Sequence, residues 1–279
     1  MRLVATILFS AALAVAAGKM AAAQVSVPGF WESPQQIAKP DLAALSRLRF
    51  LTSTDFFPFN FRDGDGRLTG FHVDLARAIC RELEVIERCQ IQALPFEELQ
   101  TALEEGAGEA IIAGLAITSD SRENVLFSRS YLQLPARFVA RRESDLTGPV
   151  HQAIAGHRVG VLAQTAHEQM LRELFSTAQV VAYEQEEELR QDLASGKIGV
   201  AFGDGMRLSF WLAGEDGRAC CTFAGGPYLA PEYLGQGLAI AVGRDRPQLA
   251  TAMNHALQQI EANGTFAELY LRYFPVGFY

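Results

Sequence analysis

Two charged side chains stand where an apolar run breaks into a polar turn, a position from which a charge can face a ligand. Arg122 ends "GLAITSDSR", Gly114–Arg122, and Asp204 ends "KIGVAFGD". The arginine's fork of donors suits a carboxylate. It reads either as an anchor for an anionic ligand or as a solvated charge in the first turn of a surface helix. The aspartate, at the end of a buried-looking strand, needs a partner. A ligand cation supplies one, and so does a turn starting in "GDG". Other chemistry is missing. "DGDGRLTGFHVD" puts Asp63, Asp65 and Asp74 at the first, third and twelfth places of a calcium loop. Arg67 and Leu68 take its fifth and sixth places, where a ligand and a glycine are required, so a hairpin turn is expected. His72, His151, His157, His167 and His255 lack metal spacing, and surface or capping roles suffice for them. No nucleophile elbow, phosphate loop or dinucleotide fingerprint occurs. "NGT" at Asn263 is explained as a helix stop. This reading contains no catalytic residue, no metal site and no cofactor.

The elements that must hold these residues alternate. "LRFLTST" reads as a strand, "GFHVDLARAICREL" as a helix with Phe71, Leu75, Ile79 and Leu83 on one stripe, and "CQIQAL" as a strand. "PFEELQTALEEG" then reads as a helix and "EAIIAGLAIT" as a strand. A second series repeats that order from Arg158: "HRVGVLA", a helix opened by the capping box Thr165 to Glu168, "QVVAYE", "QEEELRQDLASG" and "KIGVAFGD". The tail adds one strand and two helices. Two α/β lobes, each with a mainly parallel sheet, are expected, and clefts in such sheets lie beyond the strand C-termini.

Arg2 followed by the apolar run Leu3–Ala17, with small residues at Ala21 and Ala23, reads as a signal peptide, residues 1–23, cleaved before Gln24. Residues 24–47 read as a lead-in segment from which Phe30 and Trp31 can dock. The net charge of -8 becomes -10 once Arg2 and Lys19 are removed, which gives no electrostatic reason to hold nucleic acid. Four cysteines in an exported chain suggest disulfides. Cys80, late in a helix, and Cys89, at the start of the next strand, are within reach of each other. Cys220 and Cys221 are either a vicinal ring or two free thiols.

Taken in order, the motifs resemble the periplasmic solute-binding proteins of family 3, the amino-acid type that feeds ABC transporters. The resemblance rests on "LRFLTSTDFFPFNFRDGDGRLTGFHVDLARAIC", "LEEGAGEAIIAGLAITSDSRENVLFSRSY", "HRVGVLAQTAHE", "LASGKIGVAFGD" and "NGTFAELYLRYF". It implies an α/β, two-lobed periplasmic-binding-protein fold (type II-like) with two hinge crossings, near Phe138–Ala140 and Gly237–Ala241. Lobe 1 is discontinuous, residues 48–137 plus 239–279, and lobe 2 is 138–238. It implies a periplasmic monomer whose lobes close on an amino acid or organic acid and which an inner-membrane ABC permease then recognises. It also implies a site. Arg122 and the backbone around Thr165 take the ligand's carboxylate, Asp204 takes its ammonium, and Phe56 and Phe96 flank it.

The stretch Gly114–Arg122 departs from the family pattern. Gly114 and Ala116 stand where many relatives carry hydroxyls, and Ser121 holds the usual place of the arginine. A shift of one residue turns a helical side chain by ~100°. Gln164 and Ala166 likewise replace a usual glycine and hydroxyl. Two other readings share the scaffold: a cyclohexadienyl-dehydratase-like enzyme, and an accessory or sensing protein without transport.

Overall fold

The computed structural model describes residues 36–144 and 146–279. The expected signal peptide and the Phe30–Trp31 pair lie outside the described residues. Strand β1 (Leu48–Thr52) is covered on both faces and buried along its length except at Arg49, which is half-buried. A small antiparallel meander follows, β2 (Asp55–Phe56), β3 (Asn60–Arg62) and β4 (Leu68–Thr69), then β5 (Cys89–Ala93), β6 (Ala110–Ile111) and β7 (Val125–Phe127). The chain then builds β8 (Ala136–Arg141), β9 (Arg158–Leu162), β10 (Gln179–Tyr183), β11 (Val200–Asp204) and β12 (Cys221–Tyr228), and β13 (Ala241–Gly243) comes last. Two five-stranded sheets result, β5-β1-β6-β13-β7 and β10-β9-β11-β8-β12.

The sheets are mixed rather than mainly parallel. β1 pairs parallel with β5 and β6, and β9 with β10 and β11. β13 and β8, by contrast, run antiparallel to both of their neighbours. These are the strands through which the chain enters one sheet from the other. The alternation rule covers strands joined by helical crossovers, and these two have none. The entering segments pair with each other at Leu132 and Leu238. The N–H of Tyr131 reaches the Leu238 carbonyl at 2.9 Å, and the Leu238 N–H reaches the Leu132 carbonyl at 2.7 Å. The outgoing crossing is therefore at Leu132. Phe138–Ala140 lies inside the second sheet, with Phe138 opposite Phe202 on one side and Ala224 on the other.

The helix Phe71–Glu82 puts its predicted stripe inward, with Phe71, Leu75 and Ile79 0% exposed. It packs on the helices Pro247–Ala262 and Thr265–Tyr273, so the end of the chain completes the core around the first sheet. A disulfide ties Cys80 to Cys89, linking this helix to β5. Cys220 and Cys221 form the vicinal ring, so no free cysteine stands among the described residues.

One polar chain crosses this core. Tyr131 Oη lies 2.8 Å from His72 Nε2, His72 Nδ1 lies 2.7 Å from Asn60 Oδ1, and Asn60 Nδ2 donates to Ser53 Oγ at 2.8 Å. All four residues are buried. His72 is thus neither a surface nor a capping residue. Helical periodicity marks it as inward-facing beside Phe71, but no spacing rule shows its distant partners. Burial pushes its imidazole down to about 3, so it stays neutral.

Because the unfolded chain takes up this proton near pH 6.5 and the folded one does not, stability falls as pH drops below that point. Urea denaturation of wild type and His72→Gln at about pH 7 and about pH 4.5 checks this. We expect wild type to lose on the order of 2 kcal/mol more than the variant over that interval; equal losses would contradict the buried neutral histidine.

Candidate functional site

Two cavities open beyond the C-terminal ends of the parallel strands, one on each sheet. On the second sheet, a cavity of about 240 Å³ is lined by Thr165, His167, Glu186, Phe202, Asp204 and Arg207. Sequence reasoning named Thr165 and Asp204 separately, and the fold brings them together at the ends of β9 and β11. Each starts a helix. Thr165 caps Ala166–Leu174, accepting the Glu168 N–H at 3.2 Å and donating to the Leu162 carbonyl at 2.7 Å. The Glu168 carboxylate accepts the Gln164 N–H at 2.8 Å, so the reciprocal bond lands one residue before the cap. Gln164 holds φ 58°, a left-handed conformation that suits the glycine usual at this place. Asp204 caps Gly205–Ala213 through Oδ1, which accepts the Arg207 N–H at 3.1 Å. The turn-start and cation-partner readings of Asp204 are therefore compatible: one oxygen holds the helix end while the carboxylate still lines the cavity.

Sequence reasoning missed two neighbours here. Burial lowers the pKa of His167, and the negative charge of Asp204 works against that shift. Arg207 is engaged by Glu186, which accepts from its Nε at 3.1 Å and also from its Nη2. Their charged residue types carry no signal of these contacts, because the partners lie far apart in sequence.

On the first sheet, a cavity of about 380 Å³ is lined by Ser53, Thr54, Asp55, Arg62, Phe96 and Glu97. Phe96 opens the short helical turn Phe96–Glu98 and is 41% exposed at the cavity wall. Phe56 stacks on Phe59 with centroids 4.6 Å apart. Beside it stands Gly114 with φ 78°, where an added Cβ would lie 2.7 Å from Phe56 Cε1. The aromatic ring therefore fills the space that a side chain at position 114 would need. β6 stops at Ile111, shorter than the strand expected over "EAIIAGLAIT", and the chain then runs irregularly through Gly114.

Ala116 is exposed, and its carbonyl accepts from Ser121 Oγ at 2.8 Å. Thr118 caps the helix Ser119–Asn124 in a capping box completed by Ser121. Ser121 is thus committed to the helix end, and the cationic role passes to the next residue. Arg122 is exposed, but it is not merely solvated. Its Nη2 donates to Gln236 Oε1 at 2.9 Å, on the return crossing, and its guanidinium lies 5.9 Å from the centre of the Phe127 ring. The two halves of the site meet where Phe57, after β2, touches Phe210 of the helix Gly205–Ala213 with ring centroids 5.5 Å apart.

Two mixed sheets, joined by a pair of crossings and bearing cavities at their strand ends, define a two-lobed α/β binding-protein fold of the type II-like kind. Residues 48–276 match the bacterial extracellular solute-binding proteins, family 3, and the chain belongs to that family. The L-arginine-binding protein of Pseudomonas aeruginosa is 29% identical over 245 residues, which is 87% of this chain and 93% of the relative. The L-cystine solute receptor of Neisseria gonorrhoeae, in its unliganded open conformation, has the same fold. Its TM-score is 0.71 at 17% identity, over 82% of this chain and 93% of that one. An ancestral cyclohexadienyl dehydratase also shares the fold, with a TM-score of 0.68 at 22% identity over 85% of this chain and 97% of that one. Among the described residues no helix is long and apolar enough to cross a membrane.

Restoring a side chain at position 114 tests the Phe56 contact. Gly114→Ser must take a left-handed φ and displace the ring, which we expect to cost about 1–3 kcal/mol in chemical denaturation. A neutral or stabilising effect would show that the ring moves aside freely.

Proposed function

We propose that this chain is the periplasmic substrate-binding component of an ABC importer, holding one amino acid or related small carboxylate between its lobes. The observation that carries the reading is the meeting of Thr165 and Asp204 in one cavity. The helix start at Thr165 offers N–H groups and the positive end of a dipole to a carboxylate. Asp204 offers a carboxylate to an ammonium. The two together suit the zwitterionic head of an amino acid. Arg122 adds a guanidinium from lobe 1, exchanging Gln236 for the ligand, while Phe56 and Phe96 cover its apolar part. Gly114 and Ala116 supply backbone rather than hydroxyls. The lobes close by bending at the paired crossings near Leu132 and Leu238. A membrane permease receives the closed monomer. The relatives' names, among them an arginine-binding protein, support the amino-acid class.

A second reading has one observation in its favour. His167, kept neutral by burial beside Asp204, is the kind of base a dehydratase needs. Release of phenylpyruvate from prephenate by the pure protein would select that reading over binding alone.

Titration calorimetry against the amino acids and small organic acids tests the main proposal. We expect one ligand per chain. Asp204→Asn keeps a capping oxygen and weakens that binding by about 30-fold or more, the scale of an unpaired buried charge. Arg122→Ala abolishes binding if Arg122 holds the carboxylate; unchanged affinity would show that it serves Gln236 alone.

A further inference from the structure

A buried guanidinium stands without a carboxylate where the two lobes join. Arg137, in β8 opposite Gly203 of β11, is 5% exposed, and its Nε and Nη1 are buried with no hydrogen-bond partner. Nη2 alone donates, to the Gly225 carbonyl at 2.9 Å, and the guanidinium lies 4.2 Å from the centre of the Phe223 ring. Burial lowers its pKa, and what opposes that shift is the phenols of Tyr270 and Tyr228 rather than an acidic side chain. A desolvated cation is unfavourable unless it is paired. One hydrogen bond and one ring contact offset only part of that penalty. A position that merely supported the fold would be better filled by an apolar side chain.

An unmatched acceptor stands beside it, on the other lobe. Phe278 is 0% exposed, and its N–H donates to Tyr270 Oη at 3.1 Å. Its ring packs on Phe274 and Tyr270, with centroids 5.1 Å and 5.2 Å away, so this residue is fixed to lobe 1. Its carbonyl accepts no hydrogen bond among the described residues. Only Gly205 separates the donor from the acceptor. A Cβ there would stand 2.7 Å from Arg137 Cγ, 2.8 Å from the Pro135 carbonyl oxygen and 3.5 Å from the Phe278 carbonyl oxygen. The bare Cα therefore keeps a narrow gap across the junction. The Gly205 N–H also holds the Pro135 carbonyl at 2.8 Å, so the start of that helix and β8 turn together.

Resting on the amino-acid reading above, we propose that Arg137 is a positioning residue for closure, whose free N–H groups take the Phe278 carbonyl only when the lobes turn onto a ligand. Arg137 follows closely on the crossing at Leu132. A turn of lobe 2 about the paired crossings moves its guanidinium by no more than the reach of a hydrogen bond, while the far ends of the cleft travel further. The separated lobes carry the penalty of the unpaired cation, and the closed pair is relieved of it. That relief raises the share of the binding-competent state and with it the apparent affinity. Arg137 itself touches no ligand.

Arg137→Met, which keeps an unbranched apolar stem and removes the cation, tests this with two readings of opposite sign. Thermal unfolding without ligand reads the penalty: the variant should melt about 2–4 °C higher than wild type. Calorimetry with the standard amino acids and small organic acids, one at a time, reads the relief. The tightest wild-type ligand among them should bind the variant at least about tenfold more weakly, roughly the worth of one hydrogen bond to a charged group. A merely structural role would move the readings differently, lowering the melting temperature and leaving the affinity of the folded protein unchanged. A melting temperature equal to or below that of wild type, a variant that fails to fold, or an unchanged affinity each overturns the inference and leaves the binding-protein reading standing. No binding of any of these compounds by wild type overturns both.

Discussion

The pairing of Leu132 with Leu238 is the constraint on which the rest of the molecule depends. A chain that builds most of one sheet, leaves to build a second and returns must pass the gap twice. Here the two passages hydrogen-bond to each other. That fixes the direction in which β8 and β13 enter their sheets, so both run against their neighbours. It also brings the strand ends of both sheets to one gap, where loops after parallel strands form clefts in α/β folds. Residues near the passages then contact both halves: Gln236 holds Arg122, and the Gly205 N–H at the start of a lobe 2 helix reaches the Pro135 carbonyl at 2.8 Å.

Around that gap, residues with structural duties double as candidate ligand groups. Thr165 and Asp204 cap helices and still line one cavity. A cap uses one oxygen of a side chain and leaves the helix's other N–H groups aimed outward. A site made this way is stiff, because each group that faces the ligand is also held by backbone. Lobe 1 contributes differently. Its cavity is walled by Ser53, the buried end of a hydrogen-bond chain, and by Phe96, an exposed ring.

Much of this was legible in the residues. Helical periodicity located Phe71, Leu75 and Ile79, and alternation of elements gave two α/β units. The Cys80–Cys89 spacing indicated a bridge that the structure contains. What local pattern cannot encode is pairing between distant segments. The antiparallel strands, the position of the outgoing crossing, the Arg122–Gln236 bond and the route from Ser53 to Tyr131 all join residues far apart in sequence. The departure at Gly114 was visible, but its cause was not. Only the fold shows that Phe56 occupies the space a side chain would need and that φ there is left-handed. Ser121 likewise stood out as misplaced until its capping partner Thr118 was seen.

The central claim is that the gap between the lobes holds one small zwitterion. Native mass spectrometry of protein purified without denaturation, before and after incubation with an equimolar mixture of the amino acids, tests it most directly. The account predicts a single adduct with the mass of an amino acid or small organic acid, released on denaturation. A chain that stays bare in both samples would contradict it.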